Sequence, residues 1–254
     1  MVENEALIRQ IEEAAWRAWP AARTALLAGW RLRAGPTATR RENSVQAMSF
    51  TGELAPDAAI RSAEAWYAAA GKPACFQLNA LSAPLGLDAA LAGRGYRAEG
   101  RSSVLARPLD VLPEEPAQVV LEGRATAFAM QAVADPRWPA AERAARAALF
   151  ARIRRPLAFA VRTVGGEPVA GGLCVFDGPL AGLAAMRTAT TARRQGHGRA
   201  VLDRLLVWAG RMGAGTAWLQ VEADNAPAAA LYRSAGFLPL YDYHYRVAGA
   251  AGTG

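Results

Sequence analysis

The chain is poor in the residue types on which several protein classes depend. Lysine occurs once, at Lys72, histidine at His197 and His244, and cysteine at Cys75 and Cys174. Two cysteines, each inside an apolar strand-like run, are too few for a disulfide framework or a zinc cluster and read as buried thiols in a reducing cytoplasm. No histidine and carboxylate set has metal-ligand spacing, so no metal is expected. No apolar run approaches the roughly 18 residues of a membrane span. The first residues include Glu3, Glu5, Glu12 and Glu13 where an export signal would be basic and then apolar. The expectation is a soluble cytoplasmic protein without a membrane partner.

What is present is arginine, alanine and a large apolar fraction. The 254 residues carry a formal charge of +7 and are 52% hydrophobic, enough for one large core or two ordinary ones. The arginine bias, with abundant alanine, reads as the mark of a GC-rich genome. Basic residues such as Arg31, Arg33, Arg40, Arg41, Arg152, Arg154 and Arg155 are scattered without interleaved aromatics, so no nucleic-acid partner is expected.

Apolar spacing predicts a helix from Glu3 to Ala28, ended or kinked at Pro20, then strands over Trp30 to Ala34 and Asn43 to Phe50. A helix from Pro56 to Ala70, a strand over Cys75 to Leu78, a helix from Leu87 to Arg94 and a strand over Ser102 to Ala106 follow. Between Arg107 and Pro116 three prolines and three acids fall in ten residues, a composition that resists helix and sheet interior and marks a domain boundary. Beyond it come a strand at Val119 to Leu121, helix from Thr126 to Ile153 broken at Pro136 and Pro139, and three strands, Leu157 to Val164, Val169 to Phe176 and Leu180 to Thr188. The turns Gly165-Gly166-Glu167-Pro168 and Asp177-Gly178 make these a β-meander.

The meander feeds the run Ala192 to Ala200, ARRQGHGRA, which ends at an amphipathic helix with Val201, Leu202, Leu205, Leu206 and Ala209 on one face. Glycines at Gly196 and Gly198 remove side chains that would block an anion, and the helix aims free N–H groups and its positive dipole end at the same point. A strand over Ala217 to Glu222, a helix from Pro227 to Ala235 capped by Gly236, and an extended Leu238 to Val247 complete the chain.

Two motifs in this half resemble the GCN5-related N-acetyltransferase (GNAT) superfamily: Arg193 to Gly198, which fits R/Q-x-x-G-x-G/A, and Asn225 to Phe237, which fits N-x-x-A-x-x-L-Y-x-x-x-G-F. They lie 27 positions apart, from Gly198 to Asn225, with a helix and a strand between. The resemblance implies transfer of an acetyl group from acetyl-CoA to a primary amine by direct attack in a ternary complex. It places the pantetheine arm along Met186, Arg187 and Thr188, the pyrophosphate on the run Arg193, Arg194, Gln195, Gly196, His197, Gly198 and Arg199, and a further contact at Asn225. Tyr232 stands where the superfamily often has the acid for the departing thiolate. A phenol, protonated at neutral pH, can donate there. Gln220 occupies a position that carries a basic glutamate in some members, and Glu222, on the same strand face, is the candidate base acting through water.

Plainer readings stand beside these. Asn225 also suits a helix N-cap, Tyr232 a packing residue, and His197 a solvated side chain. Alternation puts Tyr241, Tyr243 and Tyr245 on one face and His244 on the other, as an acceptor-pocket wall or as a sheet surface under a helix. Phe76 to Tyr96 echoes Trp218 to Phe237 in strand, turn, helix and glycine-aromatic order, without the phosphate loop. The expected architecture is therefore α/β (α+β): two GNAT-like domains, each a mixed, mainly antiparallel twisted sheet flanked by helices. Residues 1–112 form a degenerate half and 113–254 the catalytic one. The N-terminal helix braces the pair or mediates dimerisation, so the chain is a monomer or a homodimer. The alternative function is a non-catalytic acyl-CoA-binding sensor or interaction module.

Overall fold

The computed structural model describes residues 2–249; residue 1 and residues 250–254, the extremes of the two expected ranges, lie outside the described residues. The chain opens with helix α1 (Val2–Ala18), and the helix expected to reach Ala28 stops there. Pro20 cannot continue it, and the next residues form strand β1 (Arg23–Leu27), paired antiparallel with β2 (Trp30–Ala34). Ala28 and Gly29, with φ of 48° and 89°, make the two-residue turn whose left-handed pair matches the twist of a hairpin. Strand β3 (Ser44–Gln46) is shorter than the expected Asn43 to Phe50, because the next carbonyl, of Ala47, leaves the sheet to accept Ala83 N–H at 2.8 Å.

Helix α2 (Pro56–Ala68), β4 (Cys75–Asn79) and α3 (Leu87–Gly93) follow, then β5 (Arg97–Pro108), longer than expected because strands pair with it on both sides. The second half runs β6 (Val119–Glu122), α4 (Ala127–Val133), α5 (Ala140–Ala151), β7 (Leu157–Val164), β8 (Glu167–Asp177), β9 (Leu180–Thr188), α6 (His197–Arg211), β10 (Thr216–Glu222), α7 (Ala226–Ser234) and β11 (Leu238–Val247). No helix among the described residues is long and apolar enough to cross a membrane.

The eleven strands of the described residues join one sheet, in the order β1-β2-β3-β4-β11-β5-β10-β9-β8-β7-β6. Strand β11, from the second half, lies between β4 and β5 of the first, and β5 lies between β11 and β10 of the second. The pairing is antiparallel except at β3–β4 and β9–β10, the corresponding places of the echoed segments.

Strand alternation sorts side chains into layers. Ala158, Ala160, Ala217 and Leu219 face α6, while Phe159, Val161, Leu173 and Val175 face α4 and α5. In the first half Trp30, Leu32, Phe76 and Leu78 pack on α2 and α3. Helix α1 braces both halves from the other face: Ile11, Ala14 and Ala15 sit on Leu180, Trp218 and Tyr243. Its buried Glu12 accepts from Gln46 (2.8 Å), Asn79 (3.1 Å) and Tyr241 (2.8 Å), and Arg17 pairs with Asp177 at 2.6 Å.

Because each half completes its sheet with the other's strand, neither half is expected to unfold alone. Urea unfolding followed by far-ultraviolet circular dichroism and by tryptophan fluorescence should give coincident single transitions; two resolved transitions would contradict this coupling.

Candidate active site

The site begins where two parallel strands part. Strands β9 and β10 pair from Leu180–Thr216 to Leu183–Leu219 and then separate, although β9 continues to Thr188 and β10 to Glu222. At Ala185 β9 carries an extra residue against β8, with φ of 52°. Such a bulge bends and twists its strand. Up to the fork the sheet is closed tightly: a Cβ at Gly182 would stand 2.6 Å from the Trp218 ring. Past it, β9 presents an unpaired edge toward β10, which can take an extended, amide-bearing chain as an added strand.

A groove of about 760 Å³ runs from this edge to the start of α6. Met186, Arg187, Thr188, Arg193, Arg194, Gly196, His197, Gly198, Arg199 and Asn225 all line it, as does Tyr232. Gln195 does not; its amide turns back to the Thr191 carbonyl at 3.3 Å. Arg194 and Gly196 are left-handed, with φ of 64° and 81°. Left-handed residues interleaved with right-handed or extended ones turn successive N–H groups into an anion-binding concavity, here leading into the N-terminus of a 15-residue helix. Ala200 N–H bonds the Gly196 carbonyl at 3.0 Å, leaving the preceding amides at the helix end for a ligand.

The two glycines have different reasons. Gly196 has open space around it and is required by its φ, whereas a Cβ on Gly198 would meet Thr188 Oγ1 at 2.9 Å. Gly198 thus serves the close approach of α6 to β9 more than the approach of an anion. Arg199 is tied to Asp203 at 2.8 Å and to the Ser234 carbonyl at 3.2 Å, and Arg187 reaches the Ala132 carbonyl at 3.3 Å. The helix α2 of the first half begins instead at Pro56, without an N–H there, beside Asp57. It offers no comparable anion site.

On the α1 side of the fork lies a cavity of about 280 Å³, and Met186, Asn225, Ala228 and Tyr232 line both it and the groove. Tyr232 stands at the junction. It is 7% exposed, packs edge-on to Phe237, and burial raises its pKa to about 12 while Arg41 opposes the rise. Asn225 is also the N-cap of α7, accepting from Ala228 N–H at 3.3 Å, so the capping reading holds. Glu222 is exposed at the cavity edge. Register sets the floor in rows: Glu222, Ser102 and Tyr243 stand abreast on β10, β5 and β11, and Gln220, Val104 and Tyr241 form the next row.

Trp19 and Arg41, from the first half, line this cavity, although neither was expected from sequence to belong to a site. Arg41 Nε donates to Gln220 Oε1 at 2.6 Å, so the residue set aside as a base anchors a guanidinium. His244 lies on the opposite sheet face beside Asp88 at 3.1 Å, and Tyr241 bonds Glu12, as the alternation required. Burial pushes the Cys75 thiol up to about 12 and the Cys174 thiol further, which makes poor nucleophiles of both.

The family described as "Probable histone acetyltransferase Rv0428c C-terminal" matches residues 5–246. An uncharacterized N-acetyltransferase of Bacillus subtilis, YobR, is 29% identical over 257 residues, covering 94% of this chain and 98% of that protein. A GCN5-related N-acetyltransferase from Kribbella flavida superposes with a TM-score of 0.67 at 19% identity over 96% of each chain. A tandem GNAT protein from the clavulanic acid biosynthesis pathway superposes with 0.62 at 14% identity, over 95% of this chain and 88% of that one. The chain belongs to the Rv0428c C-terminal family within the GNAT superfamily and is an acetyltransferase of that type.

Gly196→Ala meets no atom, so its cost is backbone strain alone, about 1–2 kcal/mol. A lower urea midpoint at unchanged m-value is the expected result; an unchanged midpoint would remove the left-handed requirement.

Proposed function

We propose that this acetyltransferase moves the acetyl group of acetyl-CoA to a primary amine by direct attack in a ternary complex. Residues 113–254 hold the cofactor, and residues 1–112 close the acceptor cavity. The observation that carries this reading is the fork: one free strand edge leads from an anion-binding helix start to a phenol, and the acceptor cavity opens on the other side of that phenol. The residues fit acetyl-CoA, because the β9 edge from Ala184 to Thr188 suits the amides of the pantetheine arm and the loop from Arg193 to Arg199 suits its pyrophosphate. When bound, the cofactor supplies a thioester carbonyl activated for attack.

The chain's own groups do the rest. A β9 backbone N–H near Met186 to Thr188 stabilises the negative charge that develops on the carbonyl oxygen. Tyr232 donates its hydroxyl proton to the departing sulfur, and its high pKa keeps that proton in place across the working pH range. Glu222, through a water, accepts the proton released by the amine. No cysteine is needed as an acyl carrier.

Tyr232→Phe should lower kcat by about 10²- to 10⁴-fold with acetyl-CoA affinity retained in calorimetry. Because the donor form persists below about 12, the parent protein should show no alkaline loss of kcat from this group below about pH 10. Glu222→Gln should abolish the acidic limb of the pH–rate profile; an unchanged limb removes Glu222 from the mechanism. Gly196→Glu, which sets a carboxylate in the anion site, should abolish acetyl-CoA binding. If acetyl-CoA binds but no amine in a broad panel accelerates thiol release, the binding-module reading prevails.

A further inference from the structure

Next to the acceptor cavity lies another of about 250 Å³, and Arg41 and Glu222 line both. Arg40, Arg41 and Arg146 line it, together with Tyr243 and Tyr245. The two tyrosines are 2% and 4% exposed, yet neither hydroxyl has a hydrogen-bond partner. Buried polar atoms are nearly always paired, so two orphaned phenols side by side on one strand face, at a polar cavity, signal a ligand that pairs them.

The arginines are not equivalent. Arg40 is held by Glu99, and Arg146 by Glu142 at 2.7 Å with its guanidinium 4.1 Å from the Trp138 ring centre. Arg41 donates from Nε to the neutral Gln220 and lies 5.7 Å from the Trp19 ring centre with Tyr243 beside it, and among the described residues no carboxylate forms an ion pair with it. Burial works against its charge, while Tyr243, Tyr245 and Glu222 favour it, and the balance raises its pKa. Its loop is fixed on both flanks. Glu42 accepts from Thr37 N–H at 3.1 Å and pairs with Arg152 at 2.5 Å, and Ala38 N–H bonds Glu142 at 2.9 Å. The guanidinium is therefore presented, already oriented, beside Tyr243.

We propose that this cavity receives a carboxylate of the acceptor, making the acceptor a small amine that bears one carboxylate, of the amino-acid class. Arg41 takes the carboxylate with Tyr243 and Tyr245 donating to it, while the amine lies on the Glu222 side, toward Tyr232. One unpaired cation matches a monoanion better than a phosphate dianion, and the Arg41–Glu222 pair matches the two ends of a zwitterion. Cavities of about 280 and 250 Å³ also fall below the usual size for drug-sized ligands, which keeps the acceptor small. This inference rests on the acetyl-transfer reading above.

The test compares common amino acids with their amides and the matching alkylamines, by thiol release at saturating acetyl-CoA and by calorimetric binding to the CoA-loaded protein. The acids should exceed the amides roughly ten- to a hundredfold in kcat/KM, the range of a hydrogen-bonded charged group. Arg41→Gln and Tyr245→Phe, the second keeping the ring and its packing, should each shrink that ratio toward one. Equal use of acid and amide overturns the proposal and leaves acetyl transfer standing. If no amine releases thiol, the binding arm decides: Arg41-dependent binding of acids upholds the site, and no binding overturns it. Failure to bind acetyl-CoA counts instead against the acetyl-transfer reading.

Discussion

The parting of β9 and β10 after Leu183 and Leu219 is the constraint on which the rest of the molecule depends. Parallel neighbours ordinarily satisfy each other's backbone groups to their ends. Here the Ala185 bulge turns one away, and the Trp218 ring against Gly182 marks where the closed sheet stops. The opening joins two faces of a sheet that would otherwise separate them. Tyr232, carried on the α6 and α7 side, thereby reaches a cavity built on the α1 side.

That cavity needs both halves. The row Glu222, Ser102 and Tyr243 exists only because β5 lies between β10 and β11, so strand exchange aligns groups distant in sequence. The loop bearing Arg41 is clamped to α5 and to Arg152, and α1 lies across the seam with Glu12 on one side and Arg17 on the other. The first half, which lacks the glycine loop, supplies Trp19 and Arg41 to this cavity.

Features with local causes were legible in the sequence. The three meander strands follow from Gly-Gly and Asp-Gly turns, α6 from its apolar stripe, and the groove residues from two motifs whose backbone demands are local. The first strand of the hairpin, Arg23 to Leu27, was hidden because its residues continue an apolar helix pattern, and pairing with β2 decided the matter. The packing demand on Gly198 was not legible, because the approach of Thr188 is a tertiary fact. Arg41 and Trp19 carried no signal at all. Nothing near them in sequence resembles a site, and Gln220 and Tyr243 meet Arg41 only once the sheet is assembled.

The crossed strands also set an order of events for a chain made from its N-terminus. Strand β4 emerges early and has β3 on one side, but its other partner, β11, is the last described strand to be synthesised. Until then β4 and β5 keep bare edges, the kind of surface that pairs with whatever strand is nearest. Closure over so long a sequence separation is slow. The sheet of the first half is therefore complete only when the last described strand has been made.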